Sequence, residues 1–190
     1  MPEFLPGLEL SRLFFEEAVK PILDVRFPGL SYDAALIGAG SEVLGFDTPR
    51  SRDHHWGCRV LLFFDADHAA VDSVLRQALH YRFRGYPTST KPSPGEAHVR
   101  LLDEDKSEGE VDHLIYLISM REFMRNTLRW EFETPLNAVD WLTFPQQRLR
   151  SITAGGVWHS GLGDVERIRS QFAYFPDDVW KYLLAAGWAR

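Results

Sequence analysis

Residues 38–64 read GAGSEVLGFDTPRSRDHHWGCRVLLFF. The apolar run Ala34–Ile37 leads into this stretch, and Val60–Phe64 leads out of it. Between the runs lie a glycine-serine corner, Gly40-Ser41, and a polar segment ending in Asp53-His54-His55-Trp56. Two buried strands flanking a polar loop are how α/β folds set chemistry at a sheet edge. The stretch therefore predicts a strand over 31–37, a helical turn over 41–44 and a second long strand over 53–64, kinked at Gly57. On that second strand Asp53 and His55 would share one face, and His54 and Trp56 the other.

Working outward, Leu8–Arg26 shows an apolar stripe of Leu10, Leu13, Phe14, Ala18, Ile22 and Val25 at helical spacing. Pro21 is expected to end or kink that helix. Asp67 is a good N-cap for a helix over 68–83. The proline-rich segment 85–96 reads as a loop, 97–102 as a short strand, and 111–118 as a third long strand. Ser119 and Glu122 fit a capping box for a helix over 120–130. Beyond Glu131 the pattern changes to short helices over 145–159, 165–172 and 179–189. In the last, Leu184 and Trp188 read as core residues with little chain left to cover them. The expected fold class is α/β (α+β): a mixed sheet flanked by helices in a core over 1–135, with a helical C-terminal region over 136–190.

The chain has 190 residues and a formal net charge of -6. That length suits one domain, or one domain with a small appendage, and buries roughly 70% of its unfolded surface. The acidic balance argues against a general nucleic-acid binder. The lone cysteine, Cys58, permits no internal disulfide and fits a reducing compartment. No apolar run approaches the ~20 residues of a membrane span, and the N-terminus does not read as a signal peptide. A cytoplasmic location without membrane attachment is expected, and the oligomeric state is left open.

The corner and the polar segment suggest nucleotidyl chemistry. Transfer of a nucleoside monophosphate needs backbone donors and a hydroxyl for the triphosphate, together with carboxylates for a divalent metal. Eleven residues separate Ser41 from Asp53. This spacing resembles the polymerase-beta-like nucleotidyltransferase superfamily, where a Gly-Ser corner precedes a strand with Asp, an apolar residue and a second acid. The block 40–57 further resembles a bacterial family of that superfamily, domain of unknown function 4037. The likeness extends through ITAGGVWHSGLGD, around Gly155 to Gly163, and YFPDDVWKYLLAAGW, Tyr174 to Trp188. Members of that family look longer, so this chain reads as a fragment or a shortened variant.

The resemblance implies a catalytic site of Asp53 and Asp112, nucleotide binding by Gly40, Ser41, Arg50 and Arg52, and a metal held by Asp53 and His55. Position 55 departs from the superfamily pattern, which has an acid there. Mg²⁺ prefers oxygen ligands, whereas imidazole suits Mn²⁺ or Zn²⁺ better. The implied reaction takes a nucleoside triphosphate as substrate and a small molecule or a protein as acceptor. The alternative is a catalytically impaired nucleotide- or partner-binding module of the same fold.

Blander readings stand beside each residue. Asp53 and His55 could simply be hydrogen-bonded at a strand start, and Asp112 a charge at a strand end. Arg50, Arg52 and Arg59 could form surface salt bridges, and Lys91 could merely be exposed in its loop. Asp65-Ala66-Asp67 resembles an aspartyl-phosphatase motif, but the helix cap accounts for Asp67. Asp53-His54-His55 resembles the DHH phosphoesterases, but no apolar strand precedes it. His159 and the tryptophans at 141, 158, 180 and 188 read as core and interface residues, and Cys58 as inert.

Overall fold

A computed structural model describes residues 2–50, 56–93 and 96–188. Among these, the main sheet has four strands: β1 (Asp33–Leu36), β2 (Arg59–Phe63), β7 (Leu114–Ile118) and β8 (Gly156–Ser160). Their order is β7-β2-β1-β8. β2 runs parallel to β7 and antiparallel to β1, and β8 is antiparallel to β1. The mixed α/β class expected from the sequence holds.

Helices cover both faces. The alternation on β1 and β2 sends Ala34, Val60, Leu62 and Phe64 to one core, with Leu10, Phe14, Phe15, Val19 and Leu75 of the N-terminal helical layer. Ala35, Ile37, Leu61 and Phe63 go to a second core, with Phe123, Trp141, Ile152, Val165 and Phe172 from residues beyond 119. That period-two sorting is what a strand buried on both faces must do.

The first helical layer corrects one expectation. Pro21 does not end the helix. α1 (Gly7–Phe14) runs through a π-helical turn, Phe15–Val19, into α2 (Lys20–Arg26). A proline lacks the N–H that would bond residue 17, and its ring crowds that carbonyl. The wider turn, with the Lys20 amide donating to the Phe15 carbonyl, relieves the crowding. It also rotates the buried stripe by one residue. The fully buried positions are Val19 and Leu23, while Val25, expected inside, is 77% exposed.

α3 (His68–Ala78) starts where expected, with Asp67 Oδ1 accepting from the amides of Ala69 and Ala70 at 3.0 and 3.2 Å. It ends earlier, at Ala78. The chain then forms a tight hairpin of β3 (Arg82–Phe83) and β4 (Tyr86–Pro87), turned by Arg84 and Gly85 at positive φ. The segment expected as a loop carries β5 (Thr90–Ser93), paired antiparallel with β6 (Glu96–Leu102). Lys91 lies on β5 and pairs with Asp103 at 3.2 Å, so it is not on a loop.

α4 (Met120–Leu128) is capped by Ser119, which accepts from the Glu122 amide at 3.1 Å. α5 (Ala138–Thr143), α6 (Gln146–Thr153), α7 (Asp164–Gln171) and α8 (Asp177–Trp188) follow. The helix expected over 145–159 stops at Thr153 and gives way to β8. Gly155 explains the switch. Its φ is +76°, and a Cβ there would lie 2.0 Å from the Leu36 carbonyl oxygen. Only glycine lets the chain approach β1 this closely.

Trp158 is the extra residue where the β1–β8 register slips, and its indole N–H donates to Ser11 Oγ at 3.0 Å. Of the other tryptophans, Trp141 is buried, whereas Trp180 and Trp188 are exposed on α8. Trp188, expected in a core, is 90% exposed, and Leu184 lies on the same open face. No helix among the described residues is long and apolar enough to cross a membrane.

Candidate functional site

The register assembles one end of the sheet. Arg59 pairs with Leu114, and the antiparallel β1 places Leu36 next to the start of β2. The corner after β1, the segment entering β2 and the segment entering β7 therefore meet at one edge.

At the corner, Gly38 and Gly40 have φ of +85° and +130°. The Gly38 amide donates to the Ser151 carbonyl at 2.8 Å, and Gly155 donates to the Val43 carbonyl at 3.0 Å. Both bonds tie the corner to the α6–β8 connection. The expected helical turn is a three-residue 3₁₀ turn, Glu42–Leu44, whose Ser41 carbonyl accepts from Leu44 and Phe46. A turn this short carries little macrodipole. What the corner offers an anion is local: the amides of Ala39, Gly40 and Ser41 donate to no group among the described residues. The exposed Ser41 hydroxyl likewise has no partner among them.

Beneath the corner lies a buried ion pair. Arg59 Nε is 3.1 Å from Glu42 Oε1, and the two side chains are 6% and 4% exposed. Arg59 Nη2 also donates to the Ala39 carbonyl. Arg59 is thus committed to the protein and does not face an incoming phosphate. Neither partner stood out as a pair in the sequence, because an Arg at a strand start and a Glu in a turn are ordinary surface residues. Beside them Asp47 Oδ2 accepts from the Gly7 amide at 2.6 Å and from Trp56 Nε1 at 3.4 Å, joining the first turn of α1 to the loop. Arg50 is exposed, its amide donating to Thr48 Oγ1 at 3.3 Å.

The entry to β7 holds a second charged group. Asp112 pairs with Arg76 Nη1 at 2.9 Å and with Arg100. Arg76 also reaches Asp72 at 2.5 Å. His113 is buried, with Nε2 3.5 Å from Asp72 Oδ1 and Nδ1 accepting from the Ile115 amide at 3.3 Å. Desolvation holds its pKa below the ordinary histidine value, partly offset by Asp72. Cys58 is buried, and burial pushes its thiol up, away from the reactive thiolate.

The expected site residues are therefore distributed as follows. Gly40 and Ser41 lie on the corner and Asp112 on the segment entering β7, which meet at this edge, while Arg50 is exposed on the loop after the corner. Arg52, Asp53 and His55 fall outside the described residues. No group of three or more metal-ligating side chains gathers among the described residues. Asp112, flanked by two guanidinium groups, does not fit the part of an open metal ligand.

The opposite end of β1 holds a residue that the sequence reading missed. Asp33 is fully buried, and its carboxylate accepts from the amides of Leu162, Gly163 and Val165 at 2.7, 2.9 and 3.0 Å. Those bonds close the loop Gly161-Leu162-Gly163 before α7. A lone acid opening an apolar strand, in a chain that also carries a Gly-x-Gly turn, was the available signal.

The fold and this edge define a three-layer protein with a mixed sheet and a glycine-rich corner beside it. Residues 141–190, about a quarter of the chain, match the family model described as a domain of unknown function (DUF4037). The matched part spans α5 to α8, including β8, which pairs with β1. No curated protein and no solved structure matches the chain.

Proposed function

We propose that this chain is a nucleotidyltransferase-like protein that takes a nucleoside triphosphate at the corner end of β1. The carrying observation is the convergence of the Gly38–Ser41 corner with the segments entering β2 and β7 at one sheet edge. Amides without a partner among the described residues, beside an exposed hydroxyl, suit phosphate oxygens. The reaction such a site would serve is transfer of a nucleoside monophosphate to a hydroxyl or amine of a small molecule or a protein. A divalent metal bound there would neutralise phosphate charge, and Asp53 with His55 would be its candidate holders. The chain's own share is to hold and align the phosphates.

One observation favours a second reading, a nucleotide- or partner-binding module without catalysis. Asp112 is already neutralised by Arg76 and Arg100.

Thermal shift against ATP, GTP, CTP and UTP, each with Mg²⁺, Mn²⁺ or Zn²⁺, tests both. At a hundred times its dissociation constant a ligand stabilises by about 2.7 kcal/mol, a rise of several degrees at this size. The expected result is a rise with one nucleotide that disappears in Asp53→Ala. Pyrophosphate release by the binding-competent protein supports the transferase, and binding without release supports the module. No shift with any combination overturns both nucleotide readings and leaves only the partner-binding module.

A further inference from the structure

We infer that Glu42 and Arg59 are positioning residues for the corner, an inference that rests on the nucleotide reading above. Three contacts carry it. Their ion pair is almost wholly withdrawn from water. The other arm of Arg59 grips the Ala39 carbonyl, inside the corner itself. The Glu42 carboxylate folds back over Gly40, so that a Cβ at Gly40 would lie 2.5 Å from Glu42 Oε2. One guanidinium thus fastens the loop backbone to the first residue of β2.

The consequence is geometric and electrostatic. With the Ala39 carbonyl held by Arg59, the peptide that follows it is fixed, and with it the direction of the Gly40 amide. The Glu42 charge, one residue from the proposed phosphate site, is neutralised from beneath and does not repel an anion. Because Arg59 opens β2, the clamp also sets the spacing between the corner and the segment that enters this strand. A buried ion pair adds little to stability over apolar residues of similar shape. The pair's grip on the loop backbone therefore points to holding the corner in place, not to holding the fold together.

The test replaces both charges, Glu42→Met with Arg59→Met, in the full chain, so that no lone charge stays buried. Amide hydrogen exchange of residues 38–44 is measured without ligand, and nucleotide affinity is measured by titration with whichever nucleotide the unmodified protein binds. The expected result is exchange at the corner about tenfold faster, with β1 and β2 unchanged, and affinity at least about tenfold weaker. Arg59→Lys keeps the charge but loses the fork that reaches both the Glu42 carboxylate and the Ala39 carbonyl, and should fall between. If the double variant does not fold, Arg59→Lys is judged by the same two readouts.

Unchanged exchange, or unchanged affinity in a folded variant, overturns the inference. If the unmodified protein binds no nucleotide, the proposed function fails separately. Faster exchange in the double variant would then leave a structural clamp, and the positioning role for nucleotide would be overturned.

Discussion

The two ends of β1 pose the same problem and solve it differently. Each abuts a glycine-rich loop followed by a short helical segment: Gly38-Ala39-Gly40 at one end, Gly161-Leu162-Gly163 at the other. At the second, the protein supplies its own anion, since Asp33 takes the amides of Leu162, Gly163 and Val165. At the first, the amides of Ala39, Gly40 and Ser41 find no acceptor among the described residues, and the neighbouring carboxylate, Glu42, is turned to Arg59. A glycine-rich turn is therefore not a ligand site by composition. What matters is whether the chain has already filled its donors.

The sharpest way to break this comparison is Asp33→Ala. Three amides lose a charged acceptor, and each orphaned donor costs about 1–3 kcal/mol. The expected loss is roughly 3–5 kcal/mol by urea denaturation, with the proposed nucleotide binding at the far end kept while the protein is folded. A loss below about 1 kcal/mol would show that the carboxylate does not hold the closed end.

Gly155→Ala attacks the tether behind the open end. The new Cβ would meet the Leu36 carbonyl at positive φ, so a loss of roughly 2 kcal/mol or more is expected. Because Gly155 also bonds Val43, exchange at the corner should accelerate with it. Wild-type stability in this variant would mean that β8 tolerates a wider spacing from β1.

His113, at the neighbouring strand entry, supplies a pH dependence. Its folded pKa is depressed by burial, so the neutral ring is the folded form. The associated stability is present above the unfolded value near 6.5 and is lost as pH falls below it towards the folded pKa. A slope approaching about 1.4 kcal/mol per pH unit is the most one proton can contribute. Denaturation midpoints from pH 7.5 to 5 should show the decline, and His113→Gln should flatten it. An identical slope in the variant would remove His113 as its source.

Ser41→Ala should have the smallest structural effect. The side chain is exposed, so stability is expected to stay within about 0.5 kcal/mol. Nucleotide affinity is expected to weaken in the same protein. Equal affinity would separate the hydroxyl from the open end's function.

Much of the architecture was legible because it follows from periodicity. The apolar runs of β1 and β2, the Asp67 and Ser119 caps and the helices α3, α4, α7 and α8 were readable from spacing and capping chemistry, whereas α5 was missed and the strand expected from residue 53 begins only at Arg59. Two errors came from local rules overruled by packing. Pro21 was read as ending or kinking the helix, but one wider turn carried the helix on to Arg26 and moved the buried stripe from Ala18 and Ile22 to Val19 and Leu23. A single helix was expected over 145–159, but Gly155-Gly156 is the place where the chain joins the sheet.

The candidate site was legible in part. Gly40-Ser41 stood out as a corner. The Glu42–Arg59 pair did not, because nothing in either residue type says that it is buried. Asp112 was readable as an acid at a strand entry, but not as one held by Arg76 and Arg100 from other elements.

Sequence alone determined the layered α/β class, the acidic balance and the presence of one polar loop between two buried strands, because these depend on composition and short-range spacing. Tertiary structure decided that β8 pairs with β1, that Asp33 seals one glycine loop and that Arg59 is spent on Glu42 and Ala39. Each is a contact between residues far apart in the chain, and only the folded register brings such donors and acceptors within bonding distance.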